Sequence, residues 1–285
     1  MKFTPKEADS EVNLPKLSLL GEFFILSGGI FAFILIVYLI LGIAVDLTVP
    51  HLPPSVEKAL GAHYSAMFDD GVRTKQEIKL QKIVDKLSAN TQRPDIKYMV
   101  HIVKSPDVNA LAVPGGNIVV FAGLLNQVDT ENELVFVLGH ELGHFAHRDH
   151  LRGMGRGLVL FALSAVLFGA DNDATNAIAN GMSTARFKFS RDQEKKADAF
   201  GLEMLNKFYG HVSGADSIMK KFGKLDKMPK YVYFFATHPH YTDRIKSMEE
   251  IARKSKFIKG KQKKLDPVFK ELKYGEKKDK IHFGF

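Results

Sequence analysis

His140-Glu141-Leu142-Gly143-His144 is the stretch from which the rest of the chain is read. Two histidines four apart on a helix project from one side, one turn apart. Their imidazoles can share one zinc ion, with Glu141 beside it as a general base. A zinc site of this kind makes water a nucleophile for a peptide carbonyl near neutral pH. The surrounding residues predict that helix. Thr130 and Glu133 form a capping box, and Leu134, Val137, Leu138 and Leu142 carry the apolar spacing of a buried face. Asp129, Glu131 and Glu133 suit its positive N-terminal end.

A zinc protease needs a third protein ligand and one open position. His150 is one candidate, six residues after His144, but a metzincin-type turn wants glycine where His147 stands. Glu194 is the stronger candidate. It follows a capping box of Ser190 and Gln193, on a helix expected to run to about Phe208 and stop at Gly210. Asp198 lies one turn later on the same face, where it can accept the free N–H of a ligand histidine and fix its tautomer. His147 and His150 are then expected as surface or packing histidines.

The 285 residues contain no cysteine, which excludes disulfides, thiolate metal sites and cysteine nucleophiles. Any metal must be held by His, Asp, Glu and water. Residues 252–285 hold twelve Lys and Arg against four Asp and Glu, which accounts for the whole formal charge of +8. This tail reads as solvated and disordered toward its end, with contact to anionic lipid as its sharper role. Without interleaved aromatic platforms it gives no case for a specific nucleic-acid partner.

Residues 1–22 are polar. Residues 23–45 are apolar and uncharged, and as a helix they would span ~35 Å, enough for one bilayer crossing. Lys2, Lys6 and Lys16 precede this run and the first basic residue after it is Lys58, so the N-terminus is expected in the cytoplasm and the bulk outside. Residues 46–54 form a proline-rich linker, 55–252 the main domain and 253–285 the basic tail. Helices are expected over 55–69, 74–89, 212–225 and 242–252, and strands over 96–104, 109–113 and 118–121. Pro114-Gly115-Gly116-Asn117 makes the turn between the last two strands. Residues 157–170 are apolar but short for a crossing. They read as a buried helix or as a segment touching the membrane. Residues 171–184 read as a mobile polar stretch. The fold class is α+β, mainly helical, with a small mixed sheet of about three strands.

Four ordered stretches resemble metallopeptidase family forty-eight, which includes CAAX prenyl proteases and HtpX-type, Oma-type and BepA-type proteases. They are Asn109–Gly116 with Ile118–Leu125, His140–His144, Ser190–Asp198, and Thr237-His238-Pro239 with Arg244. The resemblance covers roughly residues 50–250. It implies a zincin (minigluzincin) domain with His140, His144 and Glu194 as ligands to one zinc, Glu141 as base and Asp198 behind the ligands. It also implies that Asn109, Ala110, Leu111 and Ala112 lie on an edge strand that pairs with an extended substrate. His238 would stabilise the oxyanion or cap the zinc at rest, and Arg244 would be structural or substrate-facing. CAAX and HtpX-type enzymes have several spans. One convincing span is similar to Oma-like or periplasmic quality-control members, and no tetratricopeptide-like repeat follows, unlike BepA-type proteins. The expected function is a membrane-anchored zinc endopeptidase acting on proteins or peptides. The alternatives are a chaperone-like binding module on the same fold and a CAAX-type processing protease.

Overall fold

The computed structural model describes residues 18–68, 73–91, 93, 95–183, 188–225, 238 and 241–272. The fold is α+β. Helix α1 (Leu19–Thr48) leads through a 3-10 turn (Val49–His51) into α2 (Pro54–Phe68) and α3 (Lys75–Ser88). The strands are β1 (Met99–Val103), β2 (Ala110–Val113) and β3 (Asn117–Phe121). Then come α4 (Ala122–Gln127), α5 (Glu131–Ala146), α6 (Asp149–Phe168), α7 (Asp173–Ser183), α8 (Arg191–Tyr209), α9 (Ala215–Leu225) and α10 (Tyr241–Lys254).

The sheet order is β1-β3-β2, with β1 parallel and β2 antiparallel to β3. The β2–β3 turn needs positive φ at Gly115 and Gly116, 83° and 84°, which glycine adopts without a Cβ penalty. Asn117 locks it, donating from Nδ2 to the Pro114 carbonyl at 2.8 Å. This order leaves β2 at the sheet edge, as expected for residues 109–113.

The two expected capping boxes close, at Thr130–Glu133 and Ser190–Gln193, and a third closes at Thr74–Glu77. Each satisfies orphan N–H groups and fixes where its helix begins. Helices α5 and α8 pack almost backbone to backbone. A Cβ on Gly143 would fall 2.9 Å from Cα of Ala197, and one on Gly139 would fall 3.2 Å from Cα of Gly201. Small residues at four-residue spacing on both helices permit this approach, and it sets α8 directly opposite the His140–His144 face. The core around them is apolar, with Leu134, Phe136, Leu138, Leu142 and Phe145 of α5 fully buried beside Leu202, Met204 and Leu205 of α8.

Three expectations change. The 157–170 segment is the distal part of a longer helix, α6, that starts at Asp149. Most of residues 171–184 form α7, whose N-terminus is capped by Asn172 (2.9 Å to Ala174 N) and whose Thr175 bonds Ser164 of α6 at 2.7 Å. The first half of the basic tail packs on the core. Phe269 is 1% exposed, and the Thr130 and Lys264 backbones form a β-bridge. Residues 273–285, the expected disordered end, lie outside the described residues.

Two helices among the described residues, residues 19–51 and α6, are long and apolar enough to cross a membrane. No residue of α1 is buried. Helix α6 runs back along α1, with Gly155 against Val45 and Arg156 paired to Asp46 at 2.5 Å. It leaves Leu158, Leu160, Val166 and Phe168 exposed.

Candidate metal centre

The site is built where α5 faces α8. His140, His144, Glu194 and His238 converge so that one donor atom from each lies within 4.8 Å of the others, and all four are buried. His140 Nε2 is 3.1 Å from His144 Nε2, and these atoms lie 3.7 Å from Glu194 Oε2 and Oε1 respectively. His238 Nδ1 lies 2.9 Å from Glu194 Oε1 and 3.3 Å from His140 Nε2. Ligand atoms around a tetrahedral zinc are separated by roughly 3.3 Å, so the spacing suits one ion.

The outer faces of the histidines decide what the inner faces offer. His140 Nδ1 lies 3.0 Å from Asp198 Oδ1, and His144 Nδ1 lies 3.0 Å from Asp149 Oδ2. A carboxylate only accepts, so each Nδ1 carries the proton and each Nε2 turns a lone pair inward. Two lone pairs 3.1 Å apart beside a carboxylate repel one another unless a cation sits among them. The residues present therefore fit a divalent metal.

Asp149 was not anticipated as a partner of His144. Its position depends on a turn at Arg148, which sits in the left-handed region at φ 55° between α5 and α6. That conformation is unusual away from glycine. Arg148 is held there by donating to the carbonyls of Val49 and Leu52 at 2.8 and 2.6 Å. The chain thus breaks just past His147 and swings Asp149 back under His144. The break carries His150 away from the metal-ligand group. His150 is fully buried, its Nε2 3.0 Å from Glu57 Oε1, and Glu57 also pairs with Arg93 at 3.0 Å. His147 closes α5 instead, its Nδ1 2.8 Å from the Gly143 carbonyl.

Arg244 reaches in from α10. It donates through Nε and Nη2 to both oxygens of Asp198, at 2.8 and 2.7 Å, and its Nη1 pairs with Glu194 Oε2 at 2.6 Å. Burial alone would raise the carboxyls of Glu194 and Asp198. The Arg244 charge, added to the hydrogen bonds and charges of the neighbouring histidines, outweighs burial and holds both below the usual carboxylate range. Burial lowers His140 to about 4, which keeps it neutral and able to ligate.

Glu141 is different. It is fully buried, and neither carboxylate oxygen has a hydrogen-bond partner. Burial pushes it up to about 7. His238 Nε2 lies 3.8 Å from Glu141 Oε1. Phe189 packs flat on the His144 ring at 3.9 Å and 16°. The expected edge residues Asn109, Ala110, Leu111 and Ala112 are buried on or beside β2, which packs against α5.

Residues 74–252 match the sequence model of peptidase family M48. The chain belongs to peptidase family M48. Among similar M48 proteins is the mitochondrial metalloendopeptidase OMA1 of Arabidopsis thaliana, 34% identical over 167 residues, which are 57% of this chain and 33% of that protein. The metalloproteases YcaL and LoiP of Escherichia coli are each 28% identical. They match over 208 residues (68% of this chain, 78% of YcaL) and 177 residues (60% of this chain, 69% of LoiP). The match spans between 33% and 51% of the length of the plant, zebrafish and fission-yeast OMA1 proteins.

Proposed function

We propose that this M48 chain is a membrane-anchored zinc endopeptidase that cuts misfolded or misassembled envelope proteins. The observation that carries the reading is the convergence of His140, His144 and Glu194 beside an unpartnered, buried Glu141. In this reading His140 Nε2, His144 Nε2 and a Glu194 oxygen hold zinc. When bound, the zinc supplies the Lewis-acid chemistry that activates water and polarises the scissile carbonyl.

The chain's own groups do the rest. Glu141 takes the proton of the attacking water on a carboxylate oxygen and delivers it to the leaving amine. A carboxyl raised to about 7 is suited to both halves of that transfer near neutral pH. Asp198 and Asp149 hold the imidazoles with their Nε2 atoms inward. Of the two roles open to Arg244, its contacts with Asp198 and Glu194 support the structural one. Its Nε and Nη2 donors are committed to Asp198 rather than to substrate. The edge position of β2 supports backbone pairing with an extended substrate, which gives cleavage with little sequence demand. The place of His238 Nδ1 supports the resting-cap reading. It stands with the three ligands where a catalytic site needs an open position, so His238 must withdraw for substrate to enter.

Helix α1, with its apolar side chains exposed, supports a single N-terminal anchor, and the early lysines favour a cytoplasmic N-terminus with the catalytic domain outside. Casein and a misfolded membrane protein, incubated with the purified full chain, test the activity. Cleavage should stop with a chelator and return with zinc. Metal-independent cleavage would overturn the zinc assignment, and no cleavage by zinc-loaded protein would leave the chaperone-like alternative in its place.

A further inference from the structure

A cavity of about 400 Å³ lies behind the metal centre. This is the size of a small-ligand pocket, roughly 300–1,000 Å³. Its wall includes Pro50, just past α1, with Arg93, Arg148, Asp149, Arg152 and Lys196. Four cations thus face one carboxylate, and that carboxylate is already committed to His144 and to Gln193 (2.9 Å). Arg148 and Arg152 form no ion pair among the described residues. Arg152 Nε and Arg93 Nη1 are buried donors without a hydrogen-bond partner. Glu57 and Asp95 offset Arg93, and Asp192 offsets Lys196 at the surface, 2.6 Å away. Asp95 lies within electrostatic reach of Arg148, whereas the charge of Arg152 meets no carboxylate at ion-pair distance among the described residues. Buried cationic donors of this kind are expensive unless an anion meets them.

The cavity also has a definite height. The apolar run of α1 ends at Val45, and Pro50 lies about 7 Å further along at helical rise. The headgroup layer of a bilayer extends about 5–7 Å beyond the hydrocarbon. Below the cavity, α6 descends along α1 with Leu158 and Leu160 exposed, an apolar wall against which acyl chains can lie.

We infer that this cavity binds the phosphodiester headgroup of an anionic phospholipid, at the point where the chain leaves the membrane. The inference rests on the reading of α1 as an anchor. Because Asp149 joins the cavity wall to His144, a bound headgroup lies one side chain from the metal centre.

The test is calorimetric titration of the detergent-solubilised full chain with dihexanoylphosphatidylglycerol, dihexanoylphosphatidylcholine and inorganic phosphate. The expected result is about one phosphatidylglycerol analogue per chain, with the other two at least tenfold weaker. Arg152→Gln with Lys196→Gln should weaken phosphatidylglycerol about tenfold or more. The tail variant Lys261→Gln with Lys264→Gln should leave binding unchanged. Should the double cavity variant not fold, Arg152→Gln is read against Arg152→Lys, which keeps the charge and should keep most of the binding. Inorganic phosphate binding as tightly as the lipid would overturn the lipid assignment. Undiminished binding in the cavity variants, or loss only in the tail variant, would overturn the site. Binding is read in detergent, so release of the chain from membranes by carbonate would count against the anchor and leave this affinity unchanged.

Discussion

Arg244 grips Asp198 with a two-pronged fork, Nε to Oδ2 at 2.8 Å and Nη2 to Oδ1 at 2.7 Å, although the residues lie on different helices. The same guanidinium reaches Glu194 at 2.6 Å. One buried cation thus sets both the proposed ligand of α8 and the carboxylate that orients His140. Removing it strands two buried carboxylates. Arg244→Ala should destabilise the fold by roughly 3–5 kcal/mol. Arg244→Lys keeps the charge but loses the fork, and should weaken zinc by about 10–100-fold with a smaller loss of melting temperature. Chelator competition and thermal melts separate the two effects. Wild-type zinc affinity in Arg244→Lys would show that the fork does not set the site.

Asp149 and His150 are neighbours with opposite expected consequences. Asp149→Asn should weaken zinc by about 10–100-fold, because the anionic carboxylate is lost and its one remaining oxygen must serve both His144 and Gln193. His150→Gln should leave zinc in place and affect only stability, since its ring bonds Glu57. Zinc analysis of both purified variants decides between them. Metal loss in His150→Gln alone would move the third ligand to that residue.

Gly143 tests the helix contact beneath the site. Gly143→Val puts a carbon bearing two methyl groups where a Cβ alone already meets Cα of Ala197 at 2.9 Å. Overpacking typically costs about 1–3 kcal/mol, and parting α5 from α8 would also draw Glu194 away from the histidines. A lower melting temperature together with reduced zinc content is expected. Lower stability with full zinc occupancy would mean that the helices part elsewhere.

Glu57 gives a pH signature. Burial alone would raise its carboxyl, but the hydrogen bonds and charges of His150 and Arg93 hold it below the ordinary 4.5. A carboxyl whose folded pKa is depressed adds stability that is complete above the unfolded value. That stability is lost as pH falls through the folded one. The melting-temperature gap between wild type and Glu57→Gln should therefore be constant from pH 7 down to about 4.5, and then shrink toward pH 3. A gap that persists unchanged at pH 3 would show that the Glu57 charge contributes nothing.

What could be read from the sequence was what is written locally. The helix starts at Thr74, Thr130 and Ser190 need only a residue three positions on, and the turn at Gly115-Gly116 needs only its own backbone. His140, His144, Glu194 and Asp198 were legible because i,i+4 spacing fixes a helix face. Asp149 was not, because its approach to His144 depends on the left-handed Arg148, and that turn is held by carbonyls about a hundred residues earlier. The Glu57–Arg93–His150 cluster joins three distant stretches, and no local pattern announces it. The small-residue spacing of Gly139, Gly143, Ala197 and Gly201 was visible and marks the α5–α8 contact, but it acquires that meaning only when the two helices face each other.

The central claim separates two carboxylates by role, with Glu194 holding the metal and Glu141 moving the proton. Zinc content and casein turnover, measured together on Glu141→Gln and Glu194→Gln, test it most directly. Glu141→Gln should retain about one zinc per chain while turnover falls by roughly 10²–10⁴-fold, the range for loss of general acid–base catalysis. Glu194→Gln, which offers the cation a neutral amide, should lose most of its zinc. An empty Glu141→Gln protein beside a zinc-replete Glu194→Gln protein, or full proteolysis by Glu141→Gln, would contradict the account.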